Sequence, residues 1–190
     1  MIKQLPIVAT LFSSVLLGGC GINQPTPEMK YHLLDHDNRG LNHRLPDNKI
    51  AVNKVKLADY LMLPNLVMRV SSNKLDLAAY HSWAEPMDDA IQRILISELN
   101  QINSEHGFVK QCRNCTQFNV FIEHFYPDQE GKVVLSGHVT VEANGREPLV
   151  EYFSFSKEQA GAGYSESVKV MNNLLVELSN KLQKISTYKL

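Results

Sequence analysis

Six apolar residues near the C-terminal end, Val168, Met171, Leu175, Leu178, Leu182 and Ile185, stand 3, 4, 3, 4 and 3 residues apart. That spacing lines them up along one side of a helix, and a helix with one apolar stripe must bury it against another element. A coiled-coil seam would show the same gaps, but the chain upstream supplies strands for the helix to lie on. A second stripe, Met87, Ile91, Ile94, Leu95, Leu99 and Ile102, has the same helical period. Pro86 suits the first turn of that helix, while Glu85, Asp88 and Asp89 put negative charge at the positive end of its dipole. Gly107 is expected to close it.

The remaining segments read as strands and loops. Residues 31–34 form a possible first strand, and the polar stretch 35–48, with Gly40 and Pro46, reads as a loop. Residues 49–57 are β-prone, but Asn53 and Lys54 break the alternation and predict a bulge or register change. Residues 66–70 and 74–78 flank Ser71-Ser72-Asn73 as a compact hairpin. Between the two helices, residues 117–126, 132–143 and 148–156 predict an antiparallel meander. Its turns are Asp128-Gln129-Glu130-Gly131 and the strong tight-turn signal Asn144-Gly145. The order is strands, helix, strands, helix. It predicts a single α+β domain, a largely antiparallel β-sheet with two helices packed on one face.

Composition removes several function classes. Of 190 residues, 44% are apolar and 21% charged, which excludes a disordered polyelectrolyte. With 19 Lys and Arg against 20 Asp and Glu, the chain lacks the basic excess of a nucleic-acid binder. No run reaches the ~20 apolar residues of a membrane-spanning helix.

The first twenty residues differ from the rest. Lys3 is the only charge, residues 5–17 are almost all apolar or small, and Pro6 argues against a permanent span. This is the pattern of an export signal. Its ending, Leu17-Gly18-Gly19-Cys20, resembles a bacterial lipobox, whose cysteine is acylated and becomes the first mature residue. A lipid-modified Cys20 would carry more than the two signals that stable attachment needs, anchoring the chain without spanning the bilayer. Gly21, where inner-membrane retention would place Asp, implies an outer-membrane destination facing the periplasm. The expected organisation is a signal segment over 1–19, a lipidated N-terminus and tether over 20–30 with Pro25 and Pro27, and a folded domain over 31–190. Removing residues 1–19 leaves 190 − 19 = 171 residues and a balance of 18 − 20 = −2.

Few residues suggest chemistry. Cys112-Arg113-Asn114-Cys115 is a C-x-x-C unit, which in an oxidising compartment reads first as a small structural disulfide. Thiol exchange or metal handling are the competing readings, with His106 and His124 close enough in sequence to complete a Cys2His2 set. Thiol exchange would want the motif at a helix N-terminus, whereas it follows one helix and precedes a strand. His32 and His36 read as solvated or hydrogen-bonded histidines. Adjacent Asp88 and Asp89 would point in different directions on a helix, so they serve its dipole better than a reaction. No G-x-S-x-G, phosphate-cradling glycine loop or H-E-x-x-H is present, and no catalytic residue, cofactor or metal is expected. Trp83, the only tryptophan, is either a core residue at the helix entrance or a partner-binding anchor.

The run from Leu66-Val67-Met68-Arg69-Val70 through Tyr80-His81-Ser82-Trp83-Ala84-Glu85-Pro86-Met87-Asp88-Asp89-Ala90 to Ile94-Leu95 resembles one family. It is the paraquat-inducible protein C family, the auxiliary lipoprotein components of ABC-type transport systems. The clearest match spans about residues 64–99. The resemblance implies a non-enzymatic lipoprotein without cofactor, anchored at the outer membrane. It implies as partner an MCE-domain protein that forms a lipid tunnel between the two membranes. A homo-oligomeric collar would suit a symmetric partner. An envelope-assembly lipoprotein that binds protein clients is a further alternative.

Overall fold

The structure, a computed structural model, describes residues 27–35 and 45–188. The expected signal segment, Cys20, Gly21, most of the tether and His36 lie outside the described residues. Among the described residues nine strands and two helices follow one another: β1 (Lys30–His32), β2 (Lys49–Val52), β3 (Lys56–Leu57), β4 (Asn65–Ser71), β5 (Lys74–Trp83), α1 (Met87–Ile102), β6 (Gly107–Val109), β7 (Thr116–Pro127), β8 (Lys132–Glu142), β9 (Leu149–Glu158) and α2 (Tyr164–Tyr188). A short 3₁₀ turn, Asp59–Met62, joins β3 to β4.

The expected meander is present. β7 pairs antiparallel with β8, and β8 with β9. Strand alternation sorts the residues of β8: Val133, Leu135, Val139 and Val141 enter the core, while Val134, Ser136, His138 and Thr140 sit on the half-exposed face. Phe118, Val120 and Ile122 of β7 also face inward, and a register shift between Ile122 and His124 keeps Phe125 inside after the phase change. Gly137 lies opposite Ile122 at this irregularity, where a Cβ would stand only 2.0 Å from the Phe121 carbonyl oxygen.

Both apolar stripes find the sheet and each other. Every residue of the α2 stripe is buried, and of the α1 stripe only Ile102, at the last turn, remains exposed. The α+β class and the pair of packed helices follow directly from this burial. The finer topology is richer than one antiparallel sheet. The larger sheet runs β6-β2-β7-β8-β9, with β3 also on β7, and β2, β3 and β6 make parallel pairings. The chain returns to this sheet only after α1, and a helical crossover brings a strand back in the same direction. The hairpin β4–β5 stands apart with β1, parallel to β5, as a three-stranded sheet.

Gly107 does not close α1. Asn103 does, donating its N–H to the Leu99 carbonyl and accepting from the N–H groups of Glu105 and His106 through its side-chain oxygen. Gly107 instead begins β6, where a Cβ would meet the Pro46 carbonyl oxygen and the Lys49 Nζ at 2.8 Å. Two buried amides lock α1 onto the sheet. Gln92 donates to the Val52 carbonyl at 2.9 Å, and Asn100 pairs with both backbone groups of Phe108 at 2.7 and 2.8 Å.

Candidate functional site

The segment that leads from β5 into α1, Trp83-Ala84-Glu85-Pro86-Met87, forms one lip of a surface groove of about 470 Å³. The opposite lip is the 3₁₀ turn and the residues after it: Leu61, Met62, Leu63 and Pro64, with Leu57 beside them. Backbone bonding holds the lips together, because the Trp83 N–H donates to the Pro64 carbonyl at 2.7 Å. The Ala84 N–H donates to the His32 carbonyl at 2.8 Å, tying β1 to the same corner. Met62 is 67% exposed and Leu63 is also exposed, so the groove presents thioether and aliphatic surface to water. An adjoining hollow of about 350 Å³ shares Lys54, Leu57 and Met62 and continues to Phe121 on the sheet.

Charges sit at the rim. Lys54 Nζ lies 2.8 Å from Asp88 and 3.9 Å from Asp89, at the first turn of α1. The bond to Asp88, with the charge of both aspartates, raises the ammonium above its ordinary range. Arg93, one face of α1 further on, pairs with Glu85 and reaches the Leu34 carbonyl at 3.3 Å and Asp35 at 3.6 Å. The arrangement offers an apolar trough with an ion-paired edge. It suits docking of an apolar side chain, since exposed apolar surface rimmed by polar groups marks interaction sites.

Trp83 is 8% exposed and lines this groove at the helix entrance, so its ring supports the wall rather than projecting from the surface. Its Nε1 is buried without a hydrogen-bond partner. Cys112 and Cys115 are joined as a disulfide with Cα atoms 6.0 Å apart, in the turn that precedes β7. They border a separate hollow with Asp47, Lys49 and Arg146, and the structure does not bring them to the groove. With both sulfurs bonded to each other, neither is a thiolate available to zinc. Among the described residues no cluster of three His, Cys, Asp or Glu side chains could hold a metal. His124 lies against the Tyr60 hydroxyl at 2.9 Å, and Tyr60 also donates to the Glu123 carbonyl. Burial, with Tyr126 and Glu123 nearby, holds the Tyr60 hydroxyl protonated well beyond its ordinary range. His32 bonds to His81 at 2.8 Å across β1 and β5.

Leu57, Met62 and Leu63 escaped the sequence reading. Their only signal is the run Leu61-Met62-Leu63-Pro64, apolar without a period, ended by a proline where a strand begins.

The chain is 28% identical over 122 residues to proteins named intermembrane transport lipoprotein PqiC from Escherichia coli (strain K12) and Shigella flexneri. The aligned part is 63% of this chain, and the chain spans 65% of the length of these relatives. A crystal structure of an uncharacterized protein matches with a TM-score of 0.75 at 22% identity, covering 85% of this chain and all of the other. Protein XCC0632 from Xanthomonas campestris matches with a TM-score of 0.60 at 13% identity, over 74% of this chain and 85% of its own. These two show a shared fold. The family model for the ABC-type transport auxiliary lipoprotein component matches residues 31–183, most of the described domain, so the chain belongs to that non-enzymatic family.

Proposed function

We propose that the chain is a periplasm-facing lipoprotein, acylated at Cys20 and held at the outer membrane, that serves an intermembrane lipid transport system. Residues 1–19 are then the signal, residues 20–30 the lipidated tether and residues 31–190 the working domain. Family membership supports the auxiliary transport role, and the name carried by the E. coli and Shigella relatives supports transport between membranes. The observation that carries the docking role is the groove. Its one lip is the Trp83–Asp89 segment, and its other lip exposes Met62 and Leu63 with no covering element among the described residues.

The partner is an MCE-domain tunnel protein whose tip places an apolar side chain between these lips. The domain needs no catalytic group for this. Docking holds the tunnel exit against the membrane, so that acyl chains cross without meeting water, which would cost about 0.8 kcal/mol per CH₂. A homo-oligomeric collar would match a symmetric tunnel tip.

The test is affinity isolation of the acylated protein from membranes carrying the tunnel protein, with Met62→Glu beside the parent. The variant places a charge on an already exposed position, so its thermal midpoint should match the parent while recovery of the tunnel protein falls at least about tenfold. Full recovery with M62E refutes the groove as the docking surface. Recovery of outer-membrane assembly proteins in place of a tunnel protein refutes the transport role. A Cys20→Ser chain that is still processed and still floats with membranes refutes the anchor.

A further inference from the structure

The small sheet β1-β5-β4 has two faces of opposite character. Toward the body it carries His32, His81 and Trp83: His32 and His81 are bonded to each other, His81 lies 4.4 Å from the Tyr164 ring of α2, and Trp83 is buried. Alternation along β1 puts Met29, Tyr31 and Leu33 on the other side. Tyr31 pairs with Ser82, two residues beyond Tyr80 on β5, and the Ser82 hydroxyl donates to the Met29 sulfur at 3.5 Å. Met29, Tyr31 and Leu33 therefore share the outward side of β1, and these three and Tyr80 of the neighbouring β5 are each between 44% and 69% exposed. No element packs over them among the described residues.

We propose that this outward face of β1 and β5 rests on the phospholipid surface to which the chain is anchored. The inference depends on acylation at Cys20 and adds a second, non-covalent contact to it. The tether supports this occupant over others. Nine residues lead from Cys20 to Met29, a chain length that reaches at most about 32 Å. The apolar face thus begins where the tether ends. An anchor that short keeps the face at an effective concentration near the millimolar range against the bilayer, enough to engage a patch too weak to bind alone. The side chains suit the depth. Tyr31 and Tyr80 have apolar rings with a polar tip, the combination enriched at the headgroup level. Contact on this face also leaves the groove's lining free for a protein partner, since none of these four residues lines it.

The experiment uses the full acylated chain in vesicles of phosphatidylethanolamine and phosphatidylglycerol, with Tyr31→Trp beside the parent. The parent's only tryptophan, Trp83, is buried, so brominated phosphatidylcholine added to the vesicles should barely quench it. The indole added by Y31W should lose at least half of its emission. Y31W protein that floats with the vesicles but is not quenched overturns the proposal and leaves the anchor standing. Failure of the parent itself to float overturns the anchor, and the proposal falls with it. Emission of Y31W that is unquenched and instead shifts with protein surface density assigns the face to a second copy of the chain, which also overturns the proposal.

Discussion

Gly137→Ala should be among the most damaging single-methyl changes in this protein. Gly137 sits on β8 opposite Ile122, next to the register shift that lets β7 keep Phe125 inside. A Cβ there would stand 2.0 Å from the Phe121 carbonyl oxygen and 3.0 Å from the Ile122 Cα. Both neighbours are backbone, so no rotamer change relieves the clash, and the two central strands must part by roughly an ångström. Overpacking in a well-packed interior costs about 1 to 3 kcal/mol, and a clash against ladder backbone belongs at the upper end. For a domain of this size each kcal/mol lowers the midpoint by about 2 to 4 °C, so G137A should lose about 6 to 12 °C. Thermal unfolding followed by circular dichroism measures it. Gly145→Ala is the control: its Cβ would meet nothing within 4 Å, but its φ of +75° remains unfavourable for alanine. Gly145→Ala should therefore cost only about 1 to 2 kcal/mol. A G137A midpoint within about 2 °C of the parent, or equal to that of G145A, would refute close strand approach as the reason for the glycine.

Three further outcomes are expected. Asn100→Leu leaves both backbone groups of buried Phe108 without partners; it should cost about 3 kcal/mol in urea unfolding, and a loss below about 1 kcal/mol would contradict the locking role given to this amide. Replacing Cys112 and Cys115 with serine removes a ring spanning only three peptide steps, so stability should drop by no more than about 2 kcal/mol while partner recovery is unchanged. Loss of all cellular function with folding and partner recovery intact would instead favour thiol chemistry. Burial, followed by the proximity of His81 and Lys30, pushes the His32 imidazole below its ordinary value of 6.5. The unfolded chain therefore takes up this proton first, so the contribution is complete above about pH 6.5 and is lost as pH falls through the folded value. His32→Gln should flatten the fall in unfolding midpoint on going from about pH 7 to pH 5, and an unchanged profile would contradict the assignment.

The helices were legible because their information is local. A stripe such as Val168 to Ile185 states its own period, and burial of every member follows once any sheet lies beneath it. The break at Asn53 and Lys54 was legible for the same reason. β2 stops at Val52, β3 starts at Lys56, and Asn53 turns aside to donate to Gln117 and Asn119 at 2.9 and 2.7 Å. Gly107 misled because glycine has two uses. Its flexibility suggested a helix end, while its missing Cβ is what lets Pro46 and Lys49 approach. β5 runs on to Trp83, past the hairpin's expected end at residue 78, because its last residues pair with β1 about fifty positions upstream. No window around the hairpin contains that partner.

The groove lies beyond sequence patterning for a related reason. Its lips, residues 57–64 and 83–89, are separated by the whole β4–β5 hairpin, and neither is periodic. The residues by themselves determined the class of fold, the order of its elements and, through a specific run around Trp83, the family. Those depend on periods, turn chemistry and local motif, which act over a few neighbours. Tertiary structure alone decided that β2, β3 and β6 pair in parallel, that β1 joins the hairpin as a second sheet, and that Met62 faces Trp83 across a trough. Such outcomes depend on which distant surfaces exclude water together, and that choice is made only when the chain has closed on itself.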